Sequence, residues 1–121
     1  MASKVMVIDD SMMVRKQVGI ALGTAGFTVV EACDGADGLE KLSSTHADVA
    51  LVVCDVNMPR MNGLEFLEKV RAGLPVMMLT TEGQPELIQR ARALGAKGWL
   101  VKPFKPDLLV AAARKLTAHA L

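Results

Sequence analysis

Aromatic residues make up only 3% of the 121-residue chain, and Lys plus Arg (14) nearly balance Asp plus Glu (13), leaving a formal charge of +1. Direct binding to nucleic acid, which needs a basic field or stacking platforms, is therefore not expected. Long hydrophobic runs are also missing. Val49 to Cys54 ranks among the longest and is far too short to cross a bilayer, so no membrane span is expected. The start, Met1-Ala2-Ser3-Lys4-Val5, runs at once into a strand-like segment and leaves no room for the regions of a signal peptide, so the expected location is cytoplasmic. Cysteine is scarce: Cys33 and Cys54 both stand in apolar stretches and read as small core residues rather than a disulfide or metal pair.

What is present is ample apolar residue, 51% of the chain, enough for one packed domain over residues 1–121, with no linker, repeat or low-complexity stretch. Short runs rich in Val, Ile or Leu occur at Val5 to Ile8, Phe27 to Val30, Val49 to Cys54, Val76 to Leu79 and Trp99 to Val101, and each reads as a strand. Met6, Met77 and Met78 fall inside these runs as core filling, whereas Met12, Met13, Met58 and Met61 fall on loops or helix starts. Between the runs, apolar residues recur at helical spacing, as in Val14, Val18, Ala21, Leu22 and Ala25, or Leu108, Leu109, Ala112 and Leu116. Gly26 and Gly95 suit helix ends, Pro85 and Pro106 suit first turns, and Asn62 with Glu65 suits a capping box. Strands apolar on consecutive residues need cover on both faces, and strict alternation with helices gives an α/β parallel sheet with five strands and five helices.

In such a sheet, ligands bind beyond the carboxyl ends of the strands. The first strand closes in Asp9-Asp10-Ser11, the third in Asp55, the fourth in Thr80-Thr81-Glu82 and the fifth in Lys102-Pro103. A single Asp there is more often a turn former, and a single Lys a surface residue. All of them at one edge is not what turn formation anticipates. Converging carboxylates repel and recruit a cation, and oxygen-only ligands point to Mg2+, with Ca2+ wanting more oxygens. With a cation present, one central carboxylate can act as nucleophile toward a phosphoryl donor while Lys102 and Thr80 or Thr81 offset charge on the group in transfer.

The segments VMVIDDSMMVRK, VVCDVNMPRMNGLEFL, VMMLTTEG and GAKGWLVKPF, in that order, are similar to the receiver domain of two-component response regulators, especially the stand-alone CheY-like chemotaxis type with no output domain. The resemblance covers nearly the whole chain. It implies a doubly wound, flavodoxin-like sheet of order 2-1-3-4-5, which is taken from the family rather than from the spacing. It implies Asp55 as phosphoacceptor, Asp10 and the Asn57 backbone carbonyl as direct Mg2+ ligands beside Asp55, Asp9 as a ligand through water, and Lys102 as partner of the phosphoryl group. Thr80 becomes the switch hydroxyl, Asn57 and Glu82 tune dephosphorylation, and the Lys102-Pro103 peptide is expected to be cis. Trp99 stands where the family usually has Tyr or Phe that turns inward, and its bulk and indole N–H make it a departing switch residue. The short link in RAGLPVMM, between third helix and fourth strand, is a second departure.

The resemblance further implies a monomer phosphorylated by a CheA-like histidine kinase, a possible phosphatase, and a motor or other effector protein bound on the face of the fourth helix, fifth strand and fifth helix. Arg90, Arg92, Lys97, Arg114 and Lys115 give that region a basic share, most of it solvated surface. An alternative is a receiver-like scaffold or phosphate sink without its own motor target. Phosphatases of the haloacid dehalogenase type also use an Asp nucleophile on a doubly wound sheet, but they carry a second Asp two residues later. Asn57 holds that position here and cannot transfer a proton, so an enzyme acting on outside substrates is not expected. A flavin site is disfavoured because Asp9-Asp10-Ser11 repels phosphate.

Overall fold

A computed structural model of the chain describes residues 3–58, 60–81 and 83–118. Strand and helix alternate as β1 (Lys4–Ile8), α1 (Met12–Thr24), β2 (Thr28–Ala32), α2 (Gly35–Ser43), β3 (Leu51–Cys54), α3 (Gly63–Lys69), β4 (Val76–Thr80), α4 (Pro85–Ala93), β5 (Gly98–Val101) and α5 (Pro106–Thr117). The strands form one parallel sheet in the order β2-β1-β3-β4-β5. This is the doubly wound, flavodoxin-like arrangement.

The consecutive apolar residues of the inner strands are divided between two cores. Met6, Ile8, Val52, Cys54, Val76 and Met78 pack on one side with Leu42, Leu64, Phe66, Leu67 and Ala91 of α2, α3 and α4. Val5, Val7, Leu51, Val53, Met77 and Leu79 pack on the other with Val18 and Leu22 of α1 and Leu109 and Ala113 of α5. Burial on both faces is why these strands carry no alternating polar positions.

Helix ends follow local chemistry. The Ser11 hydroxyl accepts from the Val14 N–H to cap α1, Asn62 and Glu65 close a capping box on α3, and Pro85 and Pro106 open α4 and α5. Gly26 and Gly95 follow α1 and α4 at φ 102° and 105°, where a residue with a β-carbon is strained.

Every strand differs from its sequence reading at one end or both, most in β2 and β3. Strand β2 starts one residue later and runs on to Ala32, past the charged Glu31 that hid its continuation. Val49 and Ala50 precede β3, although the Ala50 N–H still donates to the Lys4 carbonyl at 2.8 Å. Helix α3 ends at Lys69 after two turns, and residues 70–75 lead into β4. Cys33 corrects the expectation of a core residue: it lies beyond the end of β2 and is exposed, whereas Cys54 is buried as expected. Among the described residues, no helix is long and apolar enough to cross a membrane.

Candidate functional site

The sheet order reverses direction between β1 and β3, which opens a crevice at their carboxyl ends. Two acidic residues are pinned there by the ladder itself. The Asp9 N–H donates to the Ala32 carbonyl at 3.2 Å, and the Asp55 N–H donates to the Ile8 carbonyl at 2.9 Å. Both are buried, at 1% and 6% exposure, while the neighbouring Asp10 is exposed. Each of the three offers a carboxylate oxygen, and these oxygens lie within 4.8 Å of one another.

Asp9 is held on every side. Its Oδ1 accepts from the Ser11 N–H at 2.9 Å, its Oδ2 accepts from Lys102 Nζ at 2.7 Å, and its carbonyl accepts from Arg15 Nη1 at 2.5 Å. Lys102 Nζ also lies 3.6 Å from Asp55 Oδ2. Burial, and then the Asp9 carboxylate, push the Asp55 carboxyl above its ordinary range. The Lys102 ammonium and the backbone N–H groups of Asn57 and Val56 pull the other way without cancelling that rise. Beneath it, the fully buried Cys54 thiol donates to the Asp55 carbonyl at 3.2 Å and is itself pushed well up by burial and the two carboxylates, so it stays protonated.

The Lys102 ammonium pairs with Asp9 and Asp55, Asp10 adds a third carboxylate, and among the described residues the donor set is oxygen only. That fits a hard divalent cation such as Mg2+, which takes one or two carboxylates and completes its shell with other oxygens. Thr80 closes β4 on the adjacent strand and is fully buried, and its carbonyl accepts from the Lys102 N–H at 2.8 Å. The β4–β5 register thereby fixes the start of the Lys102 segment, whose peptide to Pro103 is cis.

A family model for the response regulator receiver domain matches residues 5–114. The chain belongs to that family. The receiver is 41% identical over 105 residues to the chemotaxis protein CheY of Treponema pallidum, covering 84% of this chain and 73% of the relative. It is 38% identical over 112 residues to chemotaxis protein CheY1 of Helicobacter pylori, covering 88% and 90%. In three dimensions it is similar to the solved structure of chemotaxis protein CheY4 of Vibrio cholerae, with TM-score 0.89, 40% identity, and 96% and 99% of the two chains covered.

Not every residue singled out in the sequence sits at the receiver's acidic edge. Asp9, Asp10, Asp55 and Lys102 converge, Thr80 and Asn57 flank them on β4 and after β3, and Glu82 lies outside the described residues. Trp99 lies within β5 opposite Met78 and is half-buried against the core beneath α2, α3 and α4. Arg90, Arg92, Lys97, Arg114 and Lys115 are all exposed.

Two arginines escaped the sequence reading. Arg15 braces the Asp9 carbonyl while its Nε donates to Glu31 Oε1 at 2.9 Å. Arg60 pairs with Asp34 across 26 positions of sequence. The sequence does hold a signal for the first pair: Arg15 is one helical turn beyond Ser11, at the mouth of the site.

Proposed function

We propose that this receiver accepts a phosphoryl group on Asp55 from a CheA-like histidine kinase in a Mg2+-dependent reaction and signals by phosphorylation-dependent protein binding in chemotaxis or motility. One observation carries the reading: Asp55 is buried in the crevice with Asp9 and Asp10 within ligand reach and Lys102 Nζ at 3.6 Å.

The donor's phosphorus is attacked by an Asp55 carboxylate oxygen. An O–P bond forms, the N–P bond of the phosphohistidine breaks, and its electron pair stays on the leaving imidazole. Asp10, Asp55 and the Asn57 carbonyl would hold Mg2+ directly and Asp9 through water; bound there, the ion neutralises charge on the phosphoryl oxygens. Lys102 supplies a second, fixed positive charge for the same oxygens, within hydrogen-bonding range of Asp9, which keeps it from swinging out. Thr80 offers a hydroxyl at the end of β4 as the switch, and Trp99 on β5 is its proposed relay toward the surface of α4, β5 and α5, where the effector would bind.

Asn57 carries no proton to transfer at the position where a phosphatase has an acid, so the acyl phosphate outlasts a catalytic intermediate, with Glu82 as a second tuning position. The protein thus catalyses only its own phosphorylation and dephosphorylation. Transfer of label from an autophosphorylated chemotaxis histidine kinase tests the donor: the wild type is expected to take up label in Mg2+ and Asp55→Asn to take up none. Beryllofluoride-treated protein should also bind a motor protein more tightly than untreated protein. Equal binding in the two states would count against the signalling role.

A further inference from the structure

One acidic side chain away from the strand-end cluster is almost as buried as Asp9. Asp34, 3% exposed, is the N-cap of α2, and its two oxygens serve different elements. Oδ1 accepts from the Asp37 N–H at 2.8 Å, which caps the helix. Oδ2 accepts from Arg60 Nε at 2.8 Å and from Arg60 Nη2. Arg60 belongs to the loop that opens with Asp55 and ends at the Asn62 cap of α3. It stands at φ 66° and is the one residue other than Gly with positive φ among the described residues. A side chain in that region needs something to hold it there. The next residue makes a second contact with α2: a β-carbon at Gly35 would come within 2.9 Å of Met61 Cγ and Sδ, so Met61 rests where only Gly leaves room.

We propose that Arg60 is a positioning residue for the metal-binding side of the site. Its ion pair with Asp34, with Met61 seated on Gly35, anchors the far end of the loop to α2 and so fixes the Asn57 carbonyl and the Val56 and Asn57 N–H groups against Asp55. The inference rests on the reading of that carbonyl as a Mg2+ ligand. It is an inference about geometry and not about charge. Removing a cation near a metal site strengthens Mg2+ binding if charge alone acts, whereas loosening the loop weakens it.

Titration calorimetry of Mg2+ on the full chain separates these. Arg60→Asn removes the guanidinium but keeps a residue that tolerates left-handed backbone, and Asp34→Asn keeps an N-cap oxygen while removing the charge. We expect each to weaken Mg2+ binding on the order of tenfold, the double variant to be no weaker than either single one, and Arg60→Lys to recover part of the loss. Thermal melts in EDTA should show Arg60→Asn folded at the titration temperature. Should Asp34→Asn fail to fold, the Arg60→Asn and Arg60→Lys titrations decide. Binding by Arg60→Asn as tight as wild type or tighter, or losses that add in the double variant, would overturn the inference while leaving the metal site intact. A wild type that binds no Mg2+ would overturn the metal reading and this inference with it.

Discussion

Lys102 Nζ lies 2.7 Å from Asp9 Oδ2 but 3.6 Å from Asp55 Oδ2, so the lysine expected to serve the phosphoryl group has Asp9 as its nearer partner. Its side chain is only 15% exposed and that of Asp9 2%. Lys102→Ala leaves Asp9 buried without its ammonium, which costs about 3 kcal/mol when one partner of a buried pair is removed. Urea unfolding in EDTA should show that loss, and added Mg2+ should restore part of it. A loss below about 1 kcal/mol would mean that the pair is screened as a surface pair is.

Asp55 carries the opposite balance. Burial and Asp9 raise its folded pKa above the ordinary value of 3.8, so the folded protein holds this proton more firmly than the unfolded chain does. Stability therefore falls as pH rises from that ordinary value through the folded one, and at neutral pH the full penalty of the buried charge is present. Asp55→Asn removes it. In EDTA at neutral pH the variant should melt higher than wild type by on the order of 3 °C, the equivalent of roughly 1 kcal/mol for a domain of this size. Mg2+ should narrow the gap by stabilising the wild type more than the variant.

Gly63 sets how closely α3 approaches the site. A β-carbon there would clash with the Asp55 carbonyl oxygen and lie 2.9 Å from Val56 Cα, both backbone atoms that cannot move without moving the acidic residue. Gly63→Ala should cost about 2 kcal/mol, within the range seen for overpacking, and should slow phosphorylation. Gly23→Ala is the control. It meets nothing within 4 Å near the end of α1 and should stabilise by about 0.5 kcal/mol. Denaturant midpoints and phosphorylation rates of the two variants check both claims.

Asp34 titrates the other way from Asp55. The Asp37 N–H and the Arg60 guanidinium outweigh burial and lower its folded pKa below 3.8. Its contribution is thus fully present above that ordinary value and is lost as pH falls through the folded one. The urea midpoint of the wild type should exceed that of Asp34→Asn at neutral pH, and the difference should shrink as the buffer is taken to about pH 3. A difference independent of pH would remove the carboxylate from the account.

Much of this was legible because the signals are local or sit at strand ends. Asn62 and Glu65, three apart, announce the cap of α3, Pro85 and Pro106 open helices, and the apolar runs mark the strands and put Asp9, Asp55 and Lys102 at one edge. The strand order and the role of each acidic residue came instead from the family motifs. What stayed hidden depends on contacts far apart in sequence or on side chains that mask a pattern. Glu31, paired with Arg15, made β2 look shorter than it is and left Cys33 seemingly in the core. Arg60 reads as an ordinary surface charge, since nothing near it in sequence indicates that Asp34 will be its partner once α2 and the loop after β3 meet.

The central claim is that Asp55 is the phosphoacceptor, and intact-protein mass spectrometry after incubation with a small-molecule acyl phosphate and Mg2+ tests it most directly. Wild-type protein should gain the mass of one phosphoryl group, EDTA should prevent the gain, and Asp55→Asn should show none. A phosphoryl group that survives in Asp55→Asn would contradict the assignment.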